Sequence, residues 1–465
     1  MRRSAVRIRL PAFKKDSMKN LVSSVSGLRG VVGPGINVEI IVKYASAFGI
    51  FSGGGKIIIG RDTRPTGEML TSALIASLEG VGCDVVDLGI VPTPTVLFNV
   101  RSLNANGGII VTASHNPVEW NALKFVSKRG IFLNKTETEK FHSLLEKSDK
   151  WVTWDKIGHY NRDENGISRH IKAIINNSTV MANKIRERRF RVLIDTVNGG
   201  GYLADSEILK RLGCEVISIN DKPNGIFPRG PEPIPENLNM LSKAVIENRA
   251  DIGFAVDPDA DRLAIVDERG IPLGEEYTLP IACYHVLAGK KGAIVTNYST
   301  SSMMDYIAGK FGVPIYRTPV GEANVVEGIL KYNAVVGGEG NGGVIFPEIN
   351  PTRDSLTGIA LVLSFFATEG IKTSEIRKII PERVLFKTKI SIDEIDFENA
   401  IDKLKEYFSN SDIIEEDGLK IVTKDHWVHI RKSGTEPIVR IMTEGANKED
   451  AKSFYNKIHS LITEK

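Results

Sequence analysis

Four short stretches of this chain combine residue types that carry out chemistry. The first is Gly107–Pro117. Ile109 to Val111 reads as a buried strand, and Pro117 closes the polar tip that follows. Ser114 is thereby held at the carboxyl end of a strand, where open α/β sheets place their ligands. A hydroxyl there can carry a covalent group. Adjacent His115 raises a Ser–His hydrolase, but neighbours on an extended segment point apart. The Gly-x-Ser-x-Gly elbow is also absent, because Ala113 and His115 flank the serine. Lys124, slightly downstream, is a candidate proton shuttle.

The second stretch, Asp257-Pro-Asp-Ala-Asp-Arg262, alternates carboxylates so that Asp257, Asp259 and Asp261 converge on one side of a tight loop. Such oxygen ligands suit a hard divalent cation. Glu268 falls where an EF-hand has its last ligand, but Arg262 stands where that loop needs glycine, and the flanks read as strands. The third, Gly337 to Gly343, exposes Glu339 and Asn341 on a bare glycine loop. Glu339 can accept from two adjacent sugar hydroxyls. The fourth, Arg431-Lys-Ser-Gly-Thr-Glu-Pro437, permits a turn at Gly434 whose N–H groups face one anion. Ser433 and Thr435 add hydroxyls, and Arg431 and Arg440 add charge. No Gly-Lys-Ser/Thr opens a helix there, so it is not a Walker loop.

These loops need elements to position them. Strand, polar loop, helix, glycine and strand recur three times, beginning at Lys56, Phe190 and Ala293. Each unit predicts a parallel βαβ pair. From Val384 onward the pattern changes to clustered strands and flanking helices, with strands at Val384–Ile390, Leu419–Thr423, Trp427–Arg431 and Ile438–Thr443, and helices over Phe397–Tyr407 and Lys448–Ile462. The expected domains are 18–162, 163–260, 261–370 and 371–465, in keeping with a chain of 465 residues.

Composition narrows the function classes. Hydrophobic residues at 42% and charged residues at 25% are those of a globular protein. No apolar run approaches the ~18 residues of a membrane span. The net charge of +3 conceals a basic leader: residues 1–17 carry +5, so the rest carries −2 and offers nucleic acid no basic surplus. An upstream start or appended leader is the expectation for that segment, with a transit peptide as the alternative. Cys83, Cys214 and Cys283 are scattered in apolar surroundings and read as reduced core residues of a cytoplasmic protein. Self-association is left open.

Taken together and in this order, Thr112-Ala-Ser-His-Asn-Pro117, Asp257-Pro-Asp-Ala-Asp-Arg262, Gly338-Glu-Gly-Asn-Gly342 and Arg431–Pro437 closely resemble the α-D-phosphohexomutase family. The resemblance runs from about residue 20 onward. It implies three related α/β domains with mixed sheets plus a C-terminal α+β, TATA-binding-protein-like domain around a central cleft. It implies Ser114 as the phosphoserine, and Ser114 with Asp257, Asp259 and Asp261 as ligands of one Mg²⁺. Glu339 and Asn341 then belong to the sugar-recognition loop. Arg431, Ser433, Gly434 and Thr435 form the clamp for the distal phosphate. Arg29, His115, Lys124 and Arg262 stand near the reacting centre. The segment holding Thr318, Gly321 and Glu322 resembles a substrate-contacting loop. The activity implied is interconversion of hexose 1- and 6-phosphates (glucose, mannose or glucosamine) through a hexose 1,6-bisphosphate, with a phosphosugar as partner. Two departures bear on the sugar: Asn341 stands where serine is common, and Glu322 where some members carry histidine. Acidic Glu322 and Asn341 are compatible with an amino sugar. The competing readings are an Mg²⁺-dependent phosphatase and a non-catalytic phosphosugar sensor.

Overall fold

The computed structural model describes residues 21–24, 27–147, 150–433 and 438–463. The basic leader, and Gly434 and Thr435 of the fourth loop, lie outside the described residues. The first sheet contains β1 (Leu21–Ser24), β2 (Gly27–Val31), β3 (Gly55–Arg61), β4 (Cys83–Ile90), β5 (Gly107–Val111), β6 (Trp120–Ser127) and β7 (Tyr160–Arg162), in spatial order β1-β2-β6-β5-β3-β4-β7. The second contains β8 (Arg191–Asp195), β9 (Glu215–Ile219), β10 (Ile252–Val256) and β11 (Leu263–Asp267), ordered β11-β10-β8-β9. The third contains β12 (Ile294–Asn297), β13 (Ile315–Thr318), β14 (Val336–Glu339), β15 (Gly343–Phe346) and β16 (Asn350–Arg353), ordered β13-β12-β14-β15-β16.

One plan underlies all three sheets. The leading strand (β3, β8 or β12) has a parallel neighbour on each side, β4 and β5, β9 and β10, or β13 and β14. A further strand, β6, β11 or β15, then returns antiparallel to the third. The predicted βαβ repeats form the parallel pairs β3–β4, β8–β9 and β12–β13. The mixed sheets implied by the resemblance are found; which strand returns antiparallel was not predicted, and that return is what carries the chemistry. Ser114, the three aspartates and Asn341 all occupy the same connection, from the third strand of a unit to the fourth, and Glu339 is the last residue of the third strand.

This topology corrects one boundary. The division expected between residues 260 and 261 falls inside the β10–β11 hairpin, where Val256 pairs with Leu263 and Ile252 with Asp267. An acidic loop between two apolar runs reads as a linker, but here it is the turn of a hairpin.

The second and third units share one core. The helix Ser355–Glu369 is apolar on all sides because it lies between them, with Leu356, Ile359, Leu363 and Phe366 fully buried. Asp354 caps it, accepting from Leu356 N and Thr357 N, and also pairs with His170 Nε2 at 2.9 Å. The fourth sheet comprises β17 (Val384–Ser391), β18 (Asp412–Ile414), β19 (Leu419–Val422), β20 (Trp427–Lys432) and β21 (Ile438–Gly445), ordered β17-β21-β20-β19-β18. The helices Phe397–Tyr407 and Lys448–Thr463 cover one face, with Leu404 and Ile458 meeting Ile421, Val428 and Ile441. Strand β18 is too short to show a period and was missed. Among the described residues no helix is long and apolar enough to cross a membrane. Cys83 and Cys283 are buried and Cys214 is partly so; burial pushes the Cys83 thiol up to about 11 and Cys214 to about 12.

Candidate active site

Ser114 follows β5 in the left-handed region, with φ 49°, and is 3% exposed. A non-glycine residue held there costs about 1–3 kcal/mol, so its surroundings must enforce it. Thr112 Oγ1 accepts from Ser114 N at 3.0 Å and donates to Asp62 Oδ2 at 2.6 Å. Asp62 also pairs with Arg64 Nε at 3.0 Å. The Arg64 guanidinium, fully buried, donates to the carbonyls of Ser114 and Asn116 at 2.6 Å each, of Pro117 at 2.5 Å and of Trp120 at 3.0 Å. One side chain thus fixes the backbone of the whole serine loop. Each charge-assisted bond contributes about 1.5–3 kcal/mol. Arg64 lies in the polar loop of the first repeat, and nothing local in the sequence marks it as serving Ser114.

Ser114 Oγ donates to Asp257 Oδ2 at 3.0 Å. Asp257, Asp259 and Asp261 are each 1% exposed or less, and each offers one carboxylate oxygen within 4.8 Å of the others. Asp259 Oδ1 and Asp261 Oδ1 are buried without any hydrogen-bond partner. Their other oxygens are committed. Asp259 Oδ2 accepts from Lys124 Nζ at 2.6 Å and Thr93 Oγ1 at 2.8 Å, and Asp261 Oδ2 from Arg353 at 2.6 Å. Burial, then the charges of Asp261 and Asp259, push the Asp257 carboxyl well above its ordinary range. Buried oxygens with no donor, beside a carboxylate whose charge is so opposed, fit a divalent cation. Ala260, inside this loop, is again left-handed at φ 51°. The loop is held from outside: Thr93 N donates to the Asp259 carbonyl at 2.9 Å, and Gly200 N to the Pro258 carbonyl at 2.7 Å.

Arg262 bridges the metal loop and the serine loop. It donates to Glu232 at 2.8 Å and lies 3.2 Å from His115 Nδ1, with Asp261 at 3.8 Å. His115 Nδ1 is 3.4 Å from Ser114 Oγ. Burial, then Arg262 and Arg29, push the His115 ring down to about 3, so it is neutral near pH 7. Arg29 donates to Asn116 Oδ1 at 2.8 Å, and burial lowers its pKa. The expected neighbours of the reacting centre, Arg29, His115, Lys124 and Arg262, all line one cleft with Ser114.

The sugar loop meets the metal loop directly: Leu263 N donates to the Gly342 carbonyl at 3.0 Å. Gly342 has φ 86°, and a Cβ there would stand 2.3 Å from the Leu263 carbonyl oxygen, so glycine is required. Glu339 Oε1 accepts from Asn297 Nδ2 at 2.8 Å and Gly321 N at 3.2 Å, and Oε2 from Arg353 at 2.9 Å. Asn341 Oδ1 accepts from Gly343 N at 3.2 Å. Glu322 accepts from Thr352 Oγ1 and, at 2.9 Å, from Arg353 N, while its Oε2 faces Arg353 Nε at 3.2 Å. Gly321 and Glu322 line the cleft; Thr318 is not among the lining residues, and its hydroxyl donates to the Pro319 carbonyl at 3.1 Å.

Beneath this loop lies Glu276, which sequence reading passed over. A Cβ at Gly340 would be 2.0 Å from its Oε2. Burial, joined by nearby Glu275, outweighs Lys387 and pushes Glu276 from 4.5 up to about 8. Between these two values the unfolded chain releases a proton that the folded protein keeps, so this group makes stability fall as pH rises through that window. Glu276→Gln removes the dependence. Its melting temperature, relative to the unaltered protein, is expected to be higher at pH 8.5 than at pH 5 by about 2 °C or more; an unchanged difference across a pH series of melts contradicts the assignment.

In the fourth sheet Arg431 and Arg440 are directly paired across β20 and β21, and Lys389 of β17 pairs with Arg440 on the other side. All three line the cleft. Like charges opposite one another are unfavourable, so a row of three cations suits an anion. Ser433 N donates to the Ile438 carbonyl at 2.8 Å, closing the hairpin, and Ser433 is not among the lining residues. The cleft measures about 1040 Å³ and takes its walls from all four domains. Like Glu276, the lining or supporting residues Arg353, Glu232, Lys389 and Arg64 escaped sequence reading. The only sequence signal was that Arg64 lies in a repeat loop, and that Arg353 precedes the helix cap Asp354.

Comparison with known proteins agrees with this architecture. Family models described as phosphoglucomutase/phosphomannomutase alpha/beta/alpha domains I, II and III match residues 22–151, 168–270 and 274–384, and the C-terminal domain model matches residues 388–459. A phosphoglucomutase/phosphomannomutase of Thermococcus kodakarensis is 39% identical over 92% of this chain and 95% of its own length. A phosphoglucosamine/phosphogalactosamine mutase of Sulfurisphaera tokodaii is 32% identical over 94% of this chain and 98% of its own. Among solved structures, a putative phosphomannomutase of Thermus thermophilus superposes with TM-score 0.81 at 25% identity, covering 95% of this chain and 99% of that one. With four domain models matched in order and residues of all four domains lining one cleft, the chain belongs to the phosphoglucomutase/phosphomannomutase family, the α-D-phosphohexomutases, and its catalysis is of phosphohexomutase type.

Proposed function

We propose that the chain interconverts hexose 1-phosphate and hexose 6-phosphate through phosphorylated Ser114 and a hexose 1,6-bisphosphate that stays in the cleft. The observation that carries this reading is the Ser114 hydroxyl bonded to Asp257 at 3.0 Å, beside the open oxygens of Asp259 and Asp261. Asp257, Asp259, Asp261 and the serine phosphate would hold Mg²⁺. When bound, the ion supplies positive charge that offsets the charge developing on the transferring phosphoryl group.

The chain's own residues do the rest. The substrate hydroxyl oxygen bonds to phosphorus while the bond from phosphorus to Ser114 Oγ breaks. The hydroxyl proton passes to Ser114 Oγ, and neutral His115, 3.4 Å from that oxygen, is placed to relay it. Lys124 is held by Asp259 at 2.6 Å and serves as a fixed cation beside the transferring group. Arg431, Arg440 and Lys389 take the phosphate that is not reacting. Glu339 accepts from the sugar hydroxyls in either orientation. A cleft of about 1040 Å³ leaves room for the bisphosphate to exchange its ends.

Glu322 bears on the sugar. Its Oε1 accepts from Thr352 Oγ1 and Arg353 N and its Oε2 lies 3.2 Å from Arg353 Nε, so a 2-ammonium group has to compete with Arg353 for it. Neutral hexoses, glucose and mannose, are therefore the preferred substrates. Turnover of the three 1-phosphates is to be compared with Mg²⁺ and catalytic bisphosphate present. Glucose and mannose 1-phosphates are expected to exceed glucosamine 1-phosphate in kcat/KM by about tenfold, the scale of one unmatched polar contact. Faster turnover of the amino sugar overturns the sugar assignment, and phosphate release exceeding isomerisation makes the protein a phosphatase.

A further inference from the structure

Arg353 ends the edge strand of the third sheet, and its side chain is 11% exposed. Its guanidinium donates to Asp261 Oδ2 at 2.6 Å and to Glu339 Oε2 at 2.9 Å, and its Nε is 3.2 Å from Glu322 Oε2. These three carboxylates have different tasks. Asp261 belongs to the metal loop, and its other oxygen is one of the two buried without a partner. Glu339 and Glu322 face the sugar side of the cleft. One buried cation shared among three acids cannot compensate each of them fully. The share of its charge felt at Asp261 depends on whether the other two are charged and engaged.

We propose that Arg353 is a positioning residue that couples sugar recognition to the metal centre, by dividing one guanidinium between Asp261 and the carboxylates Glu339 and Glu322. The coupling is reciprocal: whatever alters the charge on Glu339 alters the affinity of the aspartate triad for a divalent cation, and the converse holds equally. Sugar engagement and metal engagement are then one linked event. The inference rests on the reading that the triad holds a divalent cation.

The test is Mn²⁺ binding measured by calorimetry on the full-length, unphosphorylated protein, without reference to turnover. Glu339→Gln and Glu322→Gln each free Arg353 to bear more strongly on Asp261. Each is expected to weaken Mn²⁺ binding about threefold or more, the lower range for coupled neighbours, although neither residue is in the metal loop. In an Arg353→Met background the Glu339→Gln effect is expected to vanish, and in an Arg353→Lys background, where one ammonium cannot span both partners, to shrink. If neither glutamine variant moves the Mn²⁺ affinity, the coupling is wrong. That arm needs no Arg353 variant and decides the matter even if Arg353→Met does not fold. A shift that persists undiminished without Arg353 also overturns it. An unaltered protein that binds no Mn²⁺ removes the metal reading itself, which is a distinct result.

Discussion

Ser114→Ala is expected to remove hexose phosphate interconversion, lowering kcat at least about 10³-fold even with saturating hexose 1,6-bisphosphate, because no other group takes over the role of a covalent nucleophile. The loop itself should survive. Its shape is fixed by Thr112 and by the Arg64 guanidinium, which contact the backbone of residue 114 and not its hydroxyl. The bonds lost are those of Ser114 Oγ to Asp257 and, longer at 3.4 Å, to His115 Nδ1. Unchanged melting with abolished turnover separates chemistry from folding. A purified variant that keeps full activity with bisphosphate present would falsify the phosphoserine role.

Asp259→Asn should have the next largest effect. It removes one of three converging carboxylates and, in the same step, the partner of Lys124 at 2.6 Å. Burial opposes the Asp259 charge, yet Lys124 and the bonds from Lys124 and Thr93 prevail and hold its pKa below the ordinary range. The amide cannot replace that charge. Half-saturation by Mg²⁺ is expected to rise about tenfold or more, and kcat to fall about 10²-fold, in steady-state assays across Mg²⁺ concentrations. Lys124 then keeps only Asp261, at 4.0 Å, and breaking its close buried pair also costs about 3 kcal/mol of stability, measurable by denaturant unfolding. Turnover that stays unchanged at low Mg²⁺ contradicts the metal assignment.

Much of the site was legible because each loop carries its chemistry in a few contiguous residues. Three aspartates in alternation must crowd wherever the chain goes, and the surrounding glycines single out Glu339 and Asn341, but the exposure expected of Glu339 is not found: it is 4% exposed and bonded to Asn297 and Arg353. The helix Phe397–Tyr407 was read correctly from its period. The edge strand β18 and the β10–β11 pairing were not, because three residues carry no period and an acidic turn resembles a linker. Thr318 was expected at the substrate and instead turns its hydroxyl to a neighbouring carbonyl, since a position in a motif does not set a side chain's direction.

Arg64, Arg353 and Lys389 show where sequence reading ends. Arg64 serves carbonyls more than 50 residues away, Arg353 joins Asp261 to Glu339 across two sheets, and Lys389 completes a cationic row only because β17 pairs with β21. A lone arginine or lysine has no local pattern, and its role depends on which acids or carbonyls the fold brings within about 3 Å. By itself the sequence determined the four reactive loops, the repeated α/β units and the charges available. The tertiary structure decided that the three α/β loops occupy one equivalent turn, that they open into one cleft, and which cation balances which carboxylate. The physical reason is range: periodicity and turn chemistry act over a few residues, whereas charge compensation in a buried site acts through space between strands far apart in the chain.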